Sequence, residues 1–540
     1  MVLLENLERI DWQGLSHAYG PATDVPACLR RLLGDEEQRR AALHELYGSI
    51  YHQGDRYSAT PAAIPFLFEL VLASEVGNRA AILELVTHLV AGDCCFRNGL
   101  TLNDGERVLF FGRELVGDDA RGEPPRIWRQ CYEATLAFLP QLLDLAVGPE
   151  PSLRLEAARV LGCLRTRAAE IGPRLAARVA TEEFDDVRAN LLFALHRLHG
   201  PAFDARGVLG SMLPKLSRVC ATVAAMGLVR VDAIHSGERA LEALKAGLAG
   251  ARKSPDDERF YAACRFGEGL AGDIGHTIGN LPHELARPFL PLLCRALRGK
   301  VELLATLGLT TGTLRAGFSA PHAGGPLGDA NRVALAALLE NDDVWTVANN
   351  RSLFRRYGLP EVRQSLGELA GLSPGDGARG IELIGTGVAL ARAGKLAEAQ
   401  ADFERALACF PQDSTTWANV AWCARSLGQN ERAVEVPQRG SALFPDSTQL
   451  WSELIAGLFA LGCYPEAEAA ATAAILHDPG NAYLPYLRAC ARVHRGNFDA
   501  AVADIARTIE LDAKLRAEIA VDEDLVAVRG RADFQRLIGA

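Results

Sequence analysis

Aromatic residues are scarce in this chain, 7% of 540 positions, while Ala and Leu dominate a hydrophobic total of 49%. Sheets draw on Val, Ile, Thr, Tyr and Phe, so the shortage argues against a β-rich fold and for many amphipathic helices. Long apolar runs are missing as well. The longest, such as "VCATVAAMGLV", has the length of a buried helix and falls short of the roughly 18 residues that cross a bilayer. No membrane contact is therefore expected. Positive charge is in deficit, with 57 Lys and Arg against 67 Asp and Glu and a net charge of −10. A general nucleic-acid binder needs clustered basic residues to neutralise phosphate, and this balance weighs against one. Disulfide-framework spacing is also absent: the 12 cysteines are scattered, and Cys163, Cys264 and Cys294 fall within helical patterns. Reduced core cysteines in a cytoplasmic protein are the expectation, with Cys94 and Cys95, adjacent in a polar loop, set apart. The opening "MVLLENLERIDW" carries acids inside its apolar run and has no signal-peptide cleavage site.

What the chain does have is repetition. At 540 residues it exceeds a single compact core, so several domains or an elongated array are expected. Gly394, Gly428, Gly462 and Gly496 recur at one fixed interval, and Ala399, Ala433, Ala467 and Ala501 keep the same one. Pro411, Pro445 and Pro479 repeat it, and Trp417 and Trp451 stand one period apart. Gly in a tight turn, Ala where helices touch and Pro closing the second helix describe a helix-turn-helix unit. Such units stack to bury their apolar faces. "GKLAEAQADFERALACFPQD" resembles the second half of a tetratricopeptide repeat, a resemblance that covers residues 378–515. The closing "DEDLVAVRGRADFQRLI" resembles the short cap of many bacterial tetratricopeptide arrays. Pro437 departs from the pattern, in a helix that usually carries a large apolar residue there. An interior proline removes a hydrogen bond at a cost of about 3 kcal/mol, so a kink is expected at that point.

The amino-terminal two thirds repeat more loosely. "LRLEAARVLGCL" (153–164) and "VRANLLFALHRL" (187–198) align at the same interval, matching Arg154 to Arg188, Leu161 to Leu195 and Leu164 to Leu198. "EQRRAALHELYG" and "GNRAAILELVTHL" share the basic-then-apolar rhythm of an amphipathic helix whose arginine stem lies beside the preceding turn. These stretches resemble HEAT-type repeats, interrupted by insertions near 92–127, 250–260 and 314–332. "DWQGLSHAYGPATDVPACLRRLL" with "ELYGSIYHQGDRYSATPAAIPFLFEL" resembles the opening of a group of bacterial HEAT-repeat proteins. Some of that group resemble immunity proteins encoded beside secreted toxins. The expected organisation is a HEAT-like domain over 1–372, a linker at 373–377 within "GLSPGDGARG", a tetratricopeptide array over 378–520 and a cap over 521–540.

The crowded turn in "ELYGSIYHQGDRYSATPAAIPFLFEL" (45–70) admits two main readings. A helix over 36–51, a break at Gly54, an N-cap at Thr60 and Pro61 in the first helical position would make it the joint between antiparallel helices. His52 and Gln53 would then satisfy the helix's last carbonyls, and Asp55 would pair with Arg56 or a neighbouring repeat. Alternatively Tyr51, His52, Gln53, Asp55, Arg56 and Tyr57 touch a partner. The insertion at 92–127 adds Phe96, Phe110 and Phe111 beside Arg97, Arg107, Arg113 and Arg121, residue types that dominate binding hot spots.

No enzyme signature survives inspection. Gly267, Gly269 and Gly272 match a dinucleotide fingerprint literally, yet "DERFYAACRF" before them reads as helix where a strand is required. His276 and His283 fit no compact metal spacing, and His196 and His199 lack the glutamate of a zinc-protease motif. No nucleophile elbow or Walker loop appears. Catalysis, cofactors and bound metal are not expected. In peptide-binding tetratricopeptide domains the first helices line a concave surface, and register places Thr415, Ala418, Asn419, Trp422 and Arg425 there from the second unit. Gln449, Ser452 and Phe459 follow from the third and Tyr483, Tyr486 and His494 from the fourth. Ile384, Val388, Gln449 and Glu453 stand where chaperone-tail clamps of this family carry Lys or Asn, so only Asn419 matches that clamp. Trp422 and Tyr486 either face a groove or pack between helices.

The expectation is an all-α tandem α-solenoid that binds a protein or peptide. Its most specific form is an immunity-type protein that neutralises a toxin. The alternatives are a scaffold bridging two proteins and a HEAT-like nucleic-acid reader or DNA glycosylase, which would need a basic concave face.

Overall fold

The computed structural model describes residues 3–52, 54–91, 126–251, 269–298, 300–302, 305–373 and 375–539. The insertion residues 92–125, with Cys94, Cys95, Phe110, Phe111 and Arg113, lie outside the described residues, as does Gln53. The fold is an all-α array of paired helices, and among the described residues the strands are confined to two two-residue hairpins. No helix among these residues is long and apolar enough to cross a membrane. The described cysteines are all free thiols, and burial pushes those of Cys131 and Cys294 up to about 12. The chain divides into two compact units, one of residues 1–282 with 302–312 and one of 283–301 with 313–540.

In the first unit the helices Pro151–Leu161 and Asp185–Arg197 are the pair that aligns one period apart. Their matched arginines do matched work. Arg154 donates to the carbonyls of Gly148 and Pro149 at 2.9 and 3.0 Å, and Arg188 reaches the carbonyl of Glu182 one period later. Each guanidinium thus satisfies the carbonyls of the turn before its own helix, which is why the basic position repeats with the apolar ones. Leu161, Leu164, Leu195 and Leu198 are buried on the shared face. The literal glycine fingerprint has a packing role in its described part. Gly272 lies in the helix Leu270–Gly279, and a Cβ on Gly308 of the facing helix would sit on its carbonyl oxygen. His196 is half-buried, accepts from Arg230 at 3.0 Å and is held neutral by desolvation and that neighbouring guanidinium.

The second unit carries the strict period. Its helix pairs are Asp376–Arg392 with Leu396–Cys409, Ser414–Ser426 with Asn430–Leu443, Thr448–Ala460 with Tyr464–His477, and Tyr483–His494 with Phe498–Leu511. The registered glycines explain the period physically. Gly394, Gly428, Gly462 and Gly496 adopt φ of 76, 73, 70 and 73°, a left-handed conformation that side chains resist. The following N–H then closes on a carbonyl of the preceding helix end: Lys395 on Leu390 at 3.0 Å, Gln429 on Ala424 at 2.8 Å, and Cys463 on Leu458 and Asn497 on Arg492 at 2.9 Å. Ala399, Ala433, Ala467 and Ala501 are fully buried where a larger side chain would force the helices apart. Trp417 and Trp451 donate their indole N–H to the carbonyls of Pro411 and Pro445 at 2.9 and 2.7 Å, tying each unit to the turn before it.

Pro437 lies inside a helix that runs without a break from Asn430 to Leu443. The missing N–H leaves the carbonyl of Ala433 without its helical donor. The next helix passes close to that carbonyl, since a Cβ on Gly457 would come within 2.6 Å of it. A glycine there lets the two backbones approach where the proline has freed an acceptor.

The segment expected as a linker sits within the second unit. Gly377 N–H donates to Glu340 at 3.0 Å, and Arg439 holds Asp329 through both oxygens at 2.8 and 2.9 Å. Arg298 lies over the Phe410 ring at 5.0 Å. The region 314–332 consists of the end of the helix Ala305–Gly317, a loop, and the start of the helix Asp329–Glu340. Its loop is anchored, with His322 N–H donating to the Tyr357 carbonyl at 2.8 Å.

Candidate partner-binding surfaces

The crowded turn of the first unit folds as a hairpin in which Tyr51 pairs with Arg56 and His52 with Asp55. The helix before it ends at Ser49 and the next begins at Ala59, so Thr60 stands inside the helix and does not cap it from outside. Its hydroxyl still joins the two ends, accepting from Tyr57 N–H at 2.9 Å and donating to the Ile50 carbonyl at 2.6 Å. Arg56 differs from expectation. Instead of pairing with Asp55 it is 6% exposed, donates to the Leu89 carbonyl at 3.0 Å and lies 4.3 Å over the Trp128 ring. A guanidinium on the last carbonyls of the helix Arg79–Ala91 suits the negative end of that helix. Tyr51 is buried between Tyr47 and His88 in edge contacts, and His52 meets the Tyr19 ring edge-on instead of capping a carbonyl. Desolvation and the nearby Asp55 push the half-buried Tyr57 hydroxyl above its ordinary pKa. Of the six residues proposed here as contacts, Asp55 is the exposed one among those described, and Arg56 and Tyr51 serve packing.

The first helices of the second unit's pairs present a different surface. Trp422, Asn419 and Phe459 are each half-buried, and Thr415, Gln449 and Tyr483 are exposed. Arg425, one turn after Trp422 on the same helix, bridges to Glu453 on the next first helix at 3.1 Å. Phe459 packs edge-on against Tyr464 and His494, whose rings stack at 4.2 Å. Tyr486 is the exception. It is 6% exposed, and its hydroxyl donates to Asp522 of the carboxyl-terminal segment.

That segment was underestimated by sequence reasoning. It begins at Ala513, ahead of the expected cap boundary, and places Ile519, Leu525, Val528 and Phe534 fully buried against the fourth pair. Each such side chain contributes on the order of 1.5–3 kcal/mol relative to exposure. It covers Tyr486, Cys490 and Val493 on the face where the second and third pairs carry Trp422 and Phe459. Trp422 stands two periods before Cys490, and Phe459 one period before Val493. The apolar spacing of Ile519, Leu525 and Val528 was the available signal, but nothing in it says which face they cover.

No protein-family model matches the chain, and no curated protein matches it. Solved structures with some likeness include MamA from residue 41 onward from Desulfovibrio magneticus RS-1, at 16% identity over 30% of this chain and 91% of that one, TM-score 0.27. A MamA RS-1 ArsTM double mutant reaches 18% identity over 30% and 95%, TM-score 0.26. The crystal structure of the APC/C hetero-tetramer Cut9–Hcn1 reaches 14% identity over 95% of this chain and 97% of that one, TM-score 0.25. Likenesses of this size carry no functional argument.

Proposed function

We propose that the chain is a non-catalytic protein-binding array of HEAT-like and tetratricopeptide-like repeats, with the inner face of the second and third helix pairs of the second unit as its peptide- or protein-binding surface. What supports this is the chain's own use of the adjoining face: residues 513–538 lie on the fourth pair and bury Tyr486, Cys490 and Val493. The equivalent positions Trp422 and Phe459 keep an aromatic surface half open, flanked by Asn419, Gln449 and the fixed Arg425. A half-open Trp one helical turn from an anchored Arg has the composition of a binding hot spot. Arg425 and Glu453 already pair with each other, so the partner expected is mostly apolar, with polar groups for Asn419 and Gln449.

The test is affinity capture by the full chain and by Trp422→Ala and Phe459→Ala variants with unchanged melting. Proteins retained by the wild type and lost from both variants support the reading. Retention that is identical in all three places binding elsewhere. The immunity-type role rests on the resemblance of residues 11–70 alone, and a captured toxin that the chain inhibits would establish it.

A further inference from the structure

The inner face of the fourth pair holds a second feature, independent of peptide binding. Cys490 and His494 lie one turn apart at the end of the helix Tyr483–His494, and Asp522 and Asp524 alternate on the facing segment. The Cys490 sulfur and one carboxylate oxygen from each aspartate all lie within 4.8 Å of one another, the single such group of metal-ligand type among the described residues. His494 Nε2 lies 2.8 Å from Asp524 Oδ1.

Charge makes this arrangement unusual. Among the described residues neither carboxylate forms an ion pair with Lys or Arg. Arg529, the nearest guanidinium to make a bond here, donates at 2.8 Å to the Asp522 backbone carbonyl and not to its side chain. The Asp522 carboxylate instead accepts from the Tyr486 hydroxyl, from the Cys490 thiol at 3.6 Å and from Asp524 N–H at 3.0 Å. Two carboxylates and a buried sulfur therefore converge with no permanent cation between them, and convergent anionic groups at a partly buried site are stabilised by a bound metal. The donor types narrow the choice. One sulfur and two carboxylate oxygens, with the fourth position of a tetrahedron left to solvent, suit Zn2+ and are poor for Mg2+ or Ca2+, which take oxygen sets. The supporting contacts are of the kind that orient metal ligands: Tyr486 fixes Asp522, and His494, stacked on the Tyr464 ring at 4.2 Å, holds Asp524.

The structure assigns Cys490, Asp522 and Asp524 as a zinc-type site, with His494 orienting Asp524, that clamps the carboxyl-terminal segment onto the fourth helix pair. Binding converts the Cys490 thiol to a metal-bound thiolate, and its proton leaves to solvent, so occupancy falls as pH falls. The clamp adds metal-dependent stability to an interface already held by Ile519, Leu525, Val528 and Phe534.

Cobalt(II) titrated into the chelator-treated full chain tests this, because a cobalt–thiolate bond gives a near-ultraviolet charge-transfer band that carboxylate binding lacks. The expected result is one saturable band per chain, displaced by Zn2+, lost in Cys490→Ser and weakened by about tenfold or more in affinity in Asp524→Asn. Asp524 is partly exposed, so this variant is expected to fold even if the cysteine variant does not. No thiolate band in the wild type, or a band unchanged in a folded form of either variant, overturns the assignment.

Discussion

Glu182 is the acid to remove first. It is 2% exposed, and it receives two bonds from Arg154 at 2.9 Å, two from Arg178 at 2.9 and 3.1 Å, and the N–H groups of Glu183 and Phe184 at 3.0 and 3.1 Å. Arg154 is itself 4% exposed. Glu182→Ala leaves that guanidinium buried with the Gly148 and Pro149 carbonyls and the Phe184 ring but no counter-charge from Glu182, and breaking such a pair costs about 3–5 kcal/mol. The retained carbonyls and the partly exposed Arg178 place this case at the low end, near 3 kcal/mol, which is roughly a hundredfold in an equilibrium constant. Glu182→Gln keeps acceptor geometry while removing the charge, and a smaller loss is expected. Because a chain of two units need not unfold in one step, the assay is hydrogen exchange of peptides spanning 151–198. Acid provides a second axis. Burial alone would raise the Glu182 carboxyl, but Arg154, the Phe184 N–H and Arg178 outweigh it and hold the group below its ordinary value of 4.5. A depressed carboxyl contributes stability that is full above 4.5 and is lost as pH falls through the lower folded value. Protection that is unchanged in Glu182→Ala at pH 7, or that does not fall below pH 4.5, would refute the reasoning.

Three further outcomes are expected. Pro437→Ala restores an N–H beneath the Ala433 carbonyl and should stabilise the second unit by a fraction of the proline's ~3 kcal/mol cost, read as a higher melting temperature; a lower one would mean that the packing at Gly457 needs the free carbonyl. A fragment of residues 373–540 should fold as helices yet melt below one of 283–540, because it loses the contacts of Asp329 with Arg439, Arg298 with Phe410 and Glu340 with Gly377; equal melting would show that these contacts contribute nothing. Tyr486→Phe should destabilise the carboxyl-terminal segment by about 1.5–3 kcal/mol, the worth of a hydrogen bond to a charged group, read as faster exchange over 516–529; no change would mean that the hydroxyl is dispensable.

Much of the second unit was legible because its constraints are local. A left-handed glycine, a buried alanine and an indole bonded to a proline carbonyl each demand one residue type, and they recur at a fixed interval because the helix pair does. In the first unit Arg154 and Arg188 were readable for the same reason: each acts on its own preceding turn. Arg56 was not, since its partners, Leu89 and Trp128, are far along the chain, and sequence proximity favoured Asp55. The junction at 373–377 looked like a linker through its composition, while the charged contacts across it lie on helices whose facing sides no local pattern reveals. Tyr486 and Trp422 occupy the same face by register, and only the fold of residues 513–538 distinguishes the covered ring from the half-open one.

The central claim, that partners bind the inner face at Trp422 and Phe459, is tested most directly by site-specific photocrosslinking in the cells that make the protein. A photoreactive residue is placed at Trp422 or Phe459, and in a control at Leu476, which is 80% exposed on a second helix. The account predicts a discrete protein adduct from 422 and 459 and none from 476. Adducts from 476 with none from 422 and 459 would contradict it.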